Sequence, residues 1–231
     1  MITSKTSARI TGVLFILGTV PILIALALWG RPLLSPDYLS LMAANRGQIL
    51  LFVLTIMIMG FSCAGIGISL YPVLSPHDKG LALTAMGFRL MEGPLEFVFA
   101  IGYVALLAVS QEFVEAGSPP DSYYQGAGAA IKAVIDWVGR AYYLPFCIGA
   151  FSYYTIFYNT RLVPRWLSVW GLGGILLMLV SSLGGILGLI AAASPVGAFL
   201  CMPILVQELV LAVRLIVKGF DTPAAAAVRT R

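Results

Sequence analysis

Three ionisable residues lie close together in an apolar stretch of this sequence and could do chemistry there. Arg89, Glu92 and Glu96 are spaced three and four residues apart in a run from Leu81 to about Val109. At 100° per residue they share one face of a helix, and Tyr103 continues that face. Buried carboxyls beside an arginine can hold a proton or a cation, or they can pair with the arginine.

Two other apolar stretches carry polar groups that could meet this face. The stretch from about Val134 to Tyr158 has a polar and aromatic stripe on one helical face, and the stretch Val196–Val217 has polar residues near its midpoint. The stripe consists of Asp136, Arg140, Tyr143, Cys147, Tyr154 and Tyr158. The candidate binding cluster is Arg89, Glu92, Glu96, Asp136, Arg140, Tyr143, Gln207 and Glu208. No residue is assigned a catalytic or metal-binding role.

Buried charges need partners, because an unpaired ion in a membrane core is costly. We therefore predict that Arg89 contacts Glu92, Glu208 or both, and that Arg140 pairs with Glu96. The acids outnumber the two arginines, so at least one carboxyl is expected to be protonated or to meet a cation. The alternative is a satisfied network that only fastens three helices together.

Proline accompanies each group of charges, at Pro94, Pro145 and Pro203. A proline inside a helix frees the carbonyl four residues earlier and kinks the helix. Kinked helices around buried charges are typical of transporter binding sites. Prolines are also common in membrane helices, which keeps a purely structural interpretation open.

Several kinds of chemistry are disfavoured by what the sequence lacks. The single histidine, His77, lies in a predicted turn, so a His-rich zinc site, bis-His haem ligation and a Ser-His hydrolase are all disfavoured. Walker A and HExxH motifs are absent. The three cysteines lie in apolar runs without a CxxC pair and are interpreted as buried apolar residues. No cofactor is predicted.

The composition excludes a soluble protein. Of 231 residues, 60% are hydrophobic and only 10% are charged, against about 25% charged in a soluble domain. The apolar runs are close to the roughly 20 residues that a helix needs to cross a bilayer. The predicted fold is an all-α polytopic bundle of six transmembrane helices whose partner is the lipid bilayer. The net charge of +4 is attributed to residues beside the membrane, not to nucleic-acid binding.

The chain is predicted to form one domain, residues 1–220, followed by a flexible cytoplasmic tail, residues 221–231. Lys5 and Arg9 before the first apolar run also fit a signal peptide, although a retained first helix is preferred. With the N-terminus inside, nine lysines and arginines fall on the cytoplasmic side and three outside. That bias predicts cytoplasmic N- and C-termini in the cell membrane. The six predicted spans are Ile10–Trp29, Ile49–Tyr71, Leu81–Val109, Val134–Tyr158, Trp166–Ala192 and Val196–Val217.

The fifth predicted span is rich in glycine. Small residues let membrane helices approach closely, so we expect this span to pack against a neighbouring helix through Gly184 and Gly188. A phosphate-binding loop is the alternative for such a run, but the strand and the acidic partner that it requires are missing.

Five stretches together resemble an uncharacterised family of bacterial membrane proteins, domain of unknown function 4386. The stretches are Ala8-Arg9-Ile10-Thr11-Gly12, Leu70-Tyr71-Pro72-Val73-Leu74, Gly87-Phe88-Arg89-Leu90-Met91-Glu92, Arg161-Leu162-Val163-Pro164-Arg165-Trp166-Leu167, and Gln207-Glu208 with Leu215-Ile216-Val217-Lys218-Gly219-Phe220. The resemblance covers nearly the whole chain and implies a multi-helix membrane protein. It implies no activity. Arg89, Glu92 and Glu208 lie where the family pattern has its arginine and acids.

Two functions are compatible with this sequence. The first is a binding or transport protein whose polar cavity holds a small cation, a proton or an amphiphile. The second is a structural or regulatory subunit whose charges fasten helices together, with the loop Ser110–Ile131 contacting a membrane-protein partner. A lipid-modifying enzyme that uses a neutral glutamate is a third alternative. A cavity that reaches Glu92 would favour the first over the second.

Overall fold

The fold is known from a computed structural model, which describes residues 4–119, 123–190 and 194–221, with side chains from 5 to 27 in the first helix. These residues form helices and connecting turns, without strands. The helices are α1 (Ser4–Leu34), α2 (Tyr38–Ala44), α3 (Arg46–Leu74), α4 (Lys79–Glu115), α5 (Tyr123–Ala141), α6 (Tyr143–Thr160), α7 (Arg165–Ile186) and α8 (Pro195–Val217). The predicted all-α membrane bundle is confirmed.

Short polar segments set the beginnings of two long helices. The Asp78 carboxylate accepts a hydrogen bond from the Leu81 backbone N–H at 2.9 Å, which caps α4. Ser194 caps α8 in the same way, and Pro195 follows it at the first helical position, where the missing N–H costs nothing. His77 lies in the turn before α4, and partial burial lowers the pKa of its imidazole.

Five helices in the described part of the chain are long and apolar enough to cross a membrane: α1 over Lys5–Ala27, α3, α4, α7 and α8. The fourth predicted span, Val134–Tyr158, is not confirmed as a single helix. Its residues are divided between the end of α5 and α6, which meet at Tyr142. A sixth crossing and the cytoplasmic placement of both termini stay predictions.

The division at Tyr142 follows from Pro145. Proline has no backbone N–H, so it cannot bond to the carbonyl of Ala141 four residues earlier. The interruption is confined to one residue, because Tyr142 keeps helical dihedral angles (φ −67°, ψ −21°), its N–H bonds to the Val138 carbonyl at 3.0 Å, and its carbonyl accepts from the Phe146 N–H at 3.4 Å. Pro145 therefore lies in the first turn of a new helix, where proline is tolerated. Pro94 and Pro203 lie inside α4 and α8, which continue beyond them.

Six helices form a closed ring. In order, α1 packs against α3, α3 against α4, α4 against α6, α6 against α7, α7 against α8, and α8 against α1. The short α2 packs mainly against α4, and α5 lies against α4 and α7. Side chains that point into the ring from α4, α6 and α8 can therefore meet at its centre.

Glycine permits close contact between α3 and α4, and α4 is the helix that carries Arg89, Glu92 and Glu96. A Cβ atom added at Gly67 would lie 2.9 Å from the Arg89 Cβ, and one at Gly60 would lie 3.1 Å from the Glu96 Cβ. On α4, a Cβ at Gly93 would lie 3.1 Å from the Gly60 carbonyl oxygen. Such short separations leave no room for a larger residue, so these glycines set how deeply Arg89 and Glu96 are buried.

The predicted packing through Gly184 and Gly188 is wrong. A Cβ at Gly184 would meet Ile190, which follows the end of its own helix. A Cβ at Gly188, whose φ is +74°, would have no neighbour within 4 Å among the described residues. The reason is that α7 ends at Ile186, so Gly188 serves the left-handed turn after the helix. The close contacts of α7 are made at Gly171 against the Tyr154 ring and at Gly174 against the backbone of Ile204.

The predicted tail begins at a residue that is held in place. The carboxylate of Asp221 accepts hydrogen bonds of 2.6 and 2.7 Å from Arg214 Nη2, and its N–H bonds to the Leu162 carbonyl at 2.9 Å. Residues 222–231 lie outside the described part of the chain, so the flexibility of the tail stays a prediction.

Candidate functional site

Arg89 lies inside the ring of helices and forms ion pairs with residues of α4 and α8. Its Nη1 donates to Glu92 Oε2 at 2.9 Å within α4, and its Nη2 donates to Glu208 Oε1 on α8 at 2.8 Å. Nη2 also donates to the Tyr153 hydroxyl on α6 at 2.8 Å, and that hydroxyl donates to Glu208 Oε1 at 3.1 Å. The predicted contacts of Arg89 with Glu92 and Glu208 are confirmed. Arg89, Glu92, Tyr153 and Glu208 are called the Arg89 cluster below.

Aromatic rings enclose the guanidinium. Its central carbon lies 4.6 Å from the centre of the Phe146 ring, 5.4 Å from Tyr153 and 5.7 Å from Phe15. Cation–π attraction of this kind is stronger where water is excluded. The sulfur of Cys63 on α3 lies 4.0 Å from Nη1. Arg89, which is 2% exposed, thus joins its own helix to α1, α3, α6 and α8.

A second series of hydrogen-bonded polar groups connects α7 to α6 and α8. The Tyr154 hydroxyl donates to Gln207 Oε1, and the amide of Gln207 donates to the Leu167 carbonyl of α7 at 3.0 Å. All of these polar groups are buried. Gln207 therefore satisfies a hydroxyl and a backbone carbonyl, and it belongs to the packing of α6, α7 and α8.

A cavity of about 140 Å³ borders the Arg89 cluster. Its polar wall is formed by Arg89, Glu92, Glu96 and Glu208, and its aromatic wall by Phe15, Tyr142, Tyr143 and Phe146. Thr19 of α1, Cys63 of α3 and several apolar side chains also line it, among them Ile22, Leu23, Leu26 and Leu205. Leu26 is half exposed on the outside of the bundle. The cavity therefore extends from the buried acids toward the apolar surface along α1.

Some acidic oxygens in this wall have no partner. Glu96 is 1% exposed, and neither of its carboxyl oxygens has a hydrogen-bond partner within the described residues. Glu92 uses Oε2 for Arg89 and leaves Oε1 unpartnered. Buried polar atoms are almost always hydrogen-bonded in folded proteins. Arg89 Nε is likewise without a partner in the described residues. Three unsatisfied acceptors and this donor beside one cavity point to an occupant of that cavity, or to protons on the acids.

The predicted pair of Arg140 with Glu96 is wrong. Arg140 Nη1 donates instead to the Gly185 carbonyl at 2.6 Å, near the end of α7, and Ser182 donates to the Arg140 carbonyl at 2.9 Å. The last carbonyls of a helix lack partners within it and attract a cation. Arg140 lies at the end of α5, and α5 packs against α7.

The cluster predicted from the sequence is thus brought together only in part. Glu96, Tyr143 and the three charged residues of the Arg89 cluster border the cavity, whereas Gln207 lies beside it in the packing of α7. Asp136 lies on α5 near Tyr103, away from the acids. No group of three or more His, Cys, Asp or Glu side chains in the described residues is placed to hold a metal ion.

Sequence reasoning missed Tyr153, Phe15, Phe146 and Tyr142. The neighbouring Tyr154 falls on the polar stripe, although not in the candidate cluster, while Tyr153 lies about 100° away and bonds to Arg89. A buried tyrosine hydroxyl needs a partner, and this requirement is the signal that could have identified Tyr153. The aromatic residues carry no comparable signal, since such residues are common throughout membrane helices.

Comparison with known proteins gives a family and no activity. No curated protein and no solved structure is detectably similar to this chain. The sequence model of one family, described as a domain of unknown function (DUF4386), matches residues 10–219. That match includes every residue of the Arg89 cluster and all eight helices at least in part. By this match, the chain belongs to the DUF4386 family.

Proposed function

We propose that this protein binds a small ligand in the cavity beside the Arg89 cluster, as a binding or transport protein of the cell membrane. The observation that carries the proposal is Glu96, whose buried carboxyl borders a cavity and has no partner in the described residues. A residue that served only to fasten helices would be paired. Ionisable groups inside membrane bundles mark ligand and ion paths when they face a cavity.

The shape of the cavity supports a ligand that comes from the bilayer. Its boundary near Leu23 and Leu26 is apolar, and both residues belong to the half of α1 that leads away from the close contact at Gly12. A volume of about 140 Å³ is close to the roughly 150 Å³ of an engineered cavity that accepts benzene. A group of about six heavy atoms would fit, and the rest of a longer molecule would extend toward lipid.

A second candidate is a structural role for the same charges. It is favoured by the pairing of Arg89, whose terminal nitrogens reach α4, α6 and α8 at 2.8–2.9 Å. This role explains Arg89, Glu92 Oε2 and Glu208. It gives no reason for Glu96, because a glutamine or leucine would fill that position without burying an acid.

Chemical labelling of Glu96 tests whether the cavity admits a ligand. A lipid-soluble carbodiimide, dicyclohexylcarbodiimide, should label Glu96 in proteoliposomes, with the adduct located by mass spectrometry. Glu112 on the same helix is exposed and serves as the internal control, because a water-soluble carbodiimide should label it in preference to Glu96. Glu96→Gln should remove the lipid-phase adduct.

An occluding variant completes this experiment. A Cβ at Gly18 would lie 3.7 Å from the Ser62 Cβ, an ordinary contact, and Gly18 borders the cavity. Gly18→Leu should therefore fill the cavity and reduce the labelling of Glu96, while Glu112 keeps its reactivity. If the lipid-soluble reagent leaves Glu96 of the folded wild-type protein unlabelled, the cavity is closed to ligands and the proposal is overturned.

A further inference from the structure

The three unpartnered acceptors beside the cavity match the donors of one particular chemical group. They are both carboxyl oxygens of Glu96 and Oε1 of Glu92, which lie one helical turn apart on the same face of α4. A primary ammonium group has three N–H donors and no acceptor. One such group carries as many donors as there are unpartnered oxygens, whereas a single proton serves one oxygen and a quaternary ammonium has no N–H to donate.

The charge of the site also favours a cation. Three buried carboxyls, on Glu92, Glu96 and Glu208, face one buried guanidinium, that of Arg89. Arg140, the only other arginine that was expected here, is bonded to the end of α7. The site thus has an excess of acid that protons or an entering cation must neutralise.

Two aromatic rings beside the acids are available to a cation. Phe15, Phe146 and Tyr153 already face the Arg89 guanidinium, whereas Tyr142 and Tyr143 border the cavity and make no cation–π contact in the described structure. Their ring centres are 4.4 Å apart. Aromatic rings attract organic cations in general, quaternary ammonium groups included, so the rings favour a cation and the three unpartnered oxygens favour a primary amine.

The remaining walls select an organic cation with an apolar part. No cluster of three metal-ligating side chains is present among the described residues, and the walls toward α1 and α8 are formed by Leu23, Leu26 and Leu205. We infer that the ligand of this cavity is an amphiphile with a primary ammonium group, held by Glu96 and Glu92 beside Tyr142 and Tyr143. This inference rests on the proposed function, since it names the ligand of the same cavity.

Matched six-carbon probes test the inference on the full-length protein. Hexylamine, hexyltrimethylammonium and hexanol share one tail and differ in the head, and binding is measured as the rise in Tm with probe concentration. In wild type, hexylamine should bind more tightly than either of the other two, by roughly ten- to a hundredfold, because hydrogen bonds to charged groups are strong. Each variant is compared with its own Tm without probe, so changes in basal stability cancel.

Two glutamine variants on the same helix form the matched comparison. Glu96→Gln should lose the preference for hexylamine over hexanol, whereas Glu112→Gln, which alters an exposed acid, should keep it. The comparison of the three probes on wild-type protein tests the inference even if Glu96→Gln folds poorly. Equal binding of hexylamine and hexanol to the wild-type protein would overturn the inference of an ammonium ligand. It would not contradict the proposal that the cavity binds a small ligand. If no probe binds and Glu96 also resists lipid-soluble carbodiimide, the proposed function fails as well.

Vesicle composition distinguishes two sources of the ammonium group. Phosphatidylethanolamine has a primary amine in its headgroup, whereas phosphatidylcholine has a quaternary one. A hexylamine effect that is strong in phosphatidylcholine vesicles and suppressed in phosphatidylethanolamine vesicles would identify a lipid headgroup as the ligand. An equal effect in both would identify a free amphiphilic amine.

Discussion

Replacing Arg89 by methionine should destabilise the bundle strongly. Arg89→Met keeps an apolar side chain of similar reach and removes the charge that Glu92, Glu208 and the Tyr153 hydroxyl all contact. Glu92 and Glu208 are 1% and 6% exposed, so bulk solvent does not reach them, and only water held in the adjoining cavity could replace the lost partner. Removing one member of a buried ion pair costs about 3–5 kcal/mol. We expect the free energy of unfolding to fall by about that amount.

The assay is reversible unfolding in mixed micelles, followed by circular dichroism as denaturing detergent is added. The comparison is the ion pair between Arg214 and Asp221, whose side chains are 12% and 42% exposed. Solvent screens a partly exposed pair more than a fully buried one, so Asp221→Asn should cost less stability than Arg89→Met. The contrast between the two variants isolates the effect of burial.

The combined variant Arg89→Met, Glu92→Gln, Glu208→Gln tests the cause of the loss. Removing all three charges takes away the uncompensated acids, so most of the lost stability should return. If Arg89→Met costs no more than Asp221→Asn, Arg89 does not hold the ring together. If the triple variant is as unstable as the single one, the loss comes from packing and not from charge.

Three further predictions use glycines and the topology. Gly67→Ala should cost about 1–3 kcal/mol of folding stability, because its Cβ would lie 2.9 Å from the Arg89 Cβ. Gly173→Ala should not destabilise, because no described residue lies within 4 Å of its added Cβ. The Tm values of the two variants in detergent test this difference. Gly188→Ala should cost about 1–2 kcal/mol through its φ of +74° and not through contact, so Gly188→Asn should recover part of that stability. Reporter fusions after Gly80, Ser118 and the C-terminus should be cytoplasmic, external and cytoplasmic; an external C-terminus would contradict the predicted six crossings.

The apolar runs and the local spacing of charges were sufficient to predict much of this structure. Hydropathy alone located the helices α1, α3, α4, α7 and α8, because a membrane requires long apolar segments with satisfied backbones. The spacing of Arg89 and Glu92 predicted their contact, since residues three apart on a helix are neighbours. The contact with Glu208 followed from depth, because few positions near mid-membrane offer a charge.

The errors share one physical origin, which is that periodicity assumes an unbroken helix. The stripe from Asp136 to Tyr158 assumes one unbroken helix, whereas these residues are divided between α5 and α6 at Tyr142. Arg140 was then free to meet the end of α7, a partner that no spacing rule indicates. Counting glycines likewise could not show that α7 stops before Gly188, or that Gly60, Gly67 and Gly93 make the closest approach of α3 to α4.

The ribosome synthesises the two acidic partners of Arg89 at different times. Glu92 is made three residues after Arg89, whereas Glu208 follows 119 residues later. At about 5–20 residues per second, the ribosome needs about 6 to 24 s to produce that second partner. During this interval Arg89 would enter the bilayer at a cost of about 2.5–3.5 kcal/mol, and the pair with Glu92 lowers that cost within a single helix. The short-range ion pair thus assists insertion of α4, and the long-range one closes the ring when α8 arrives.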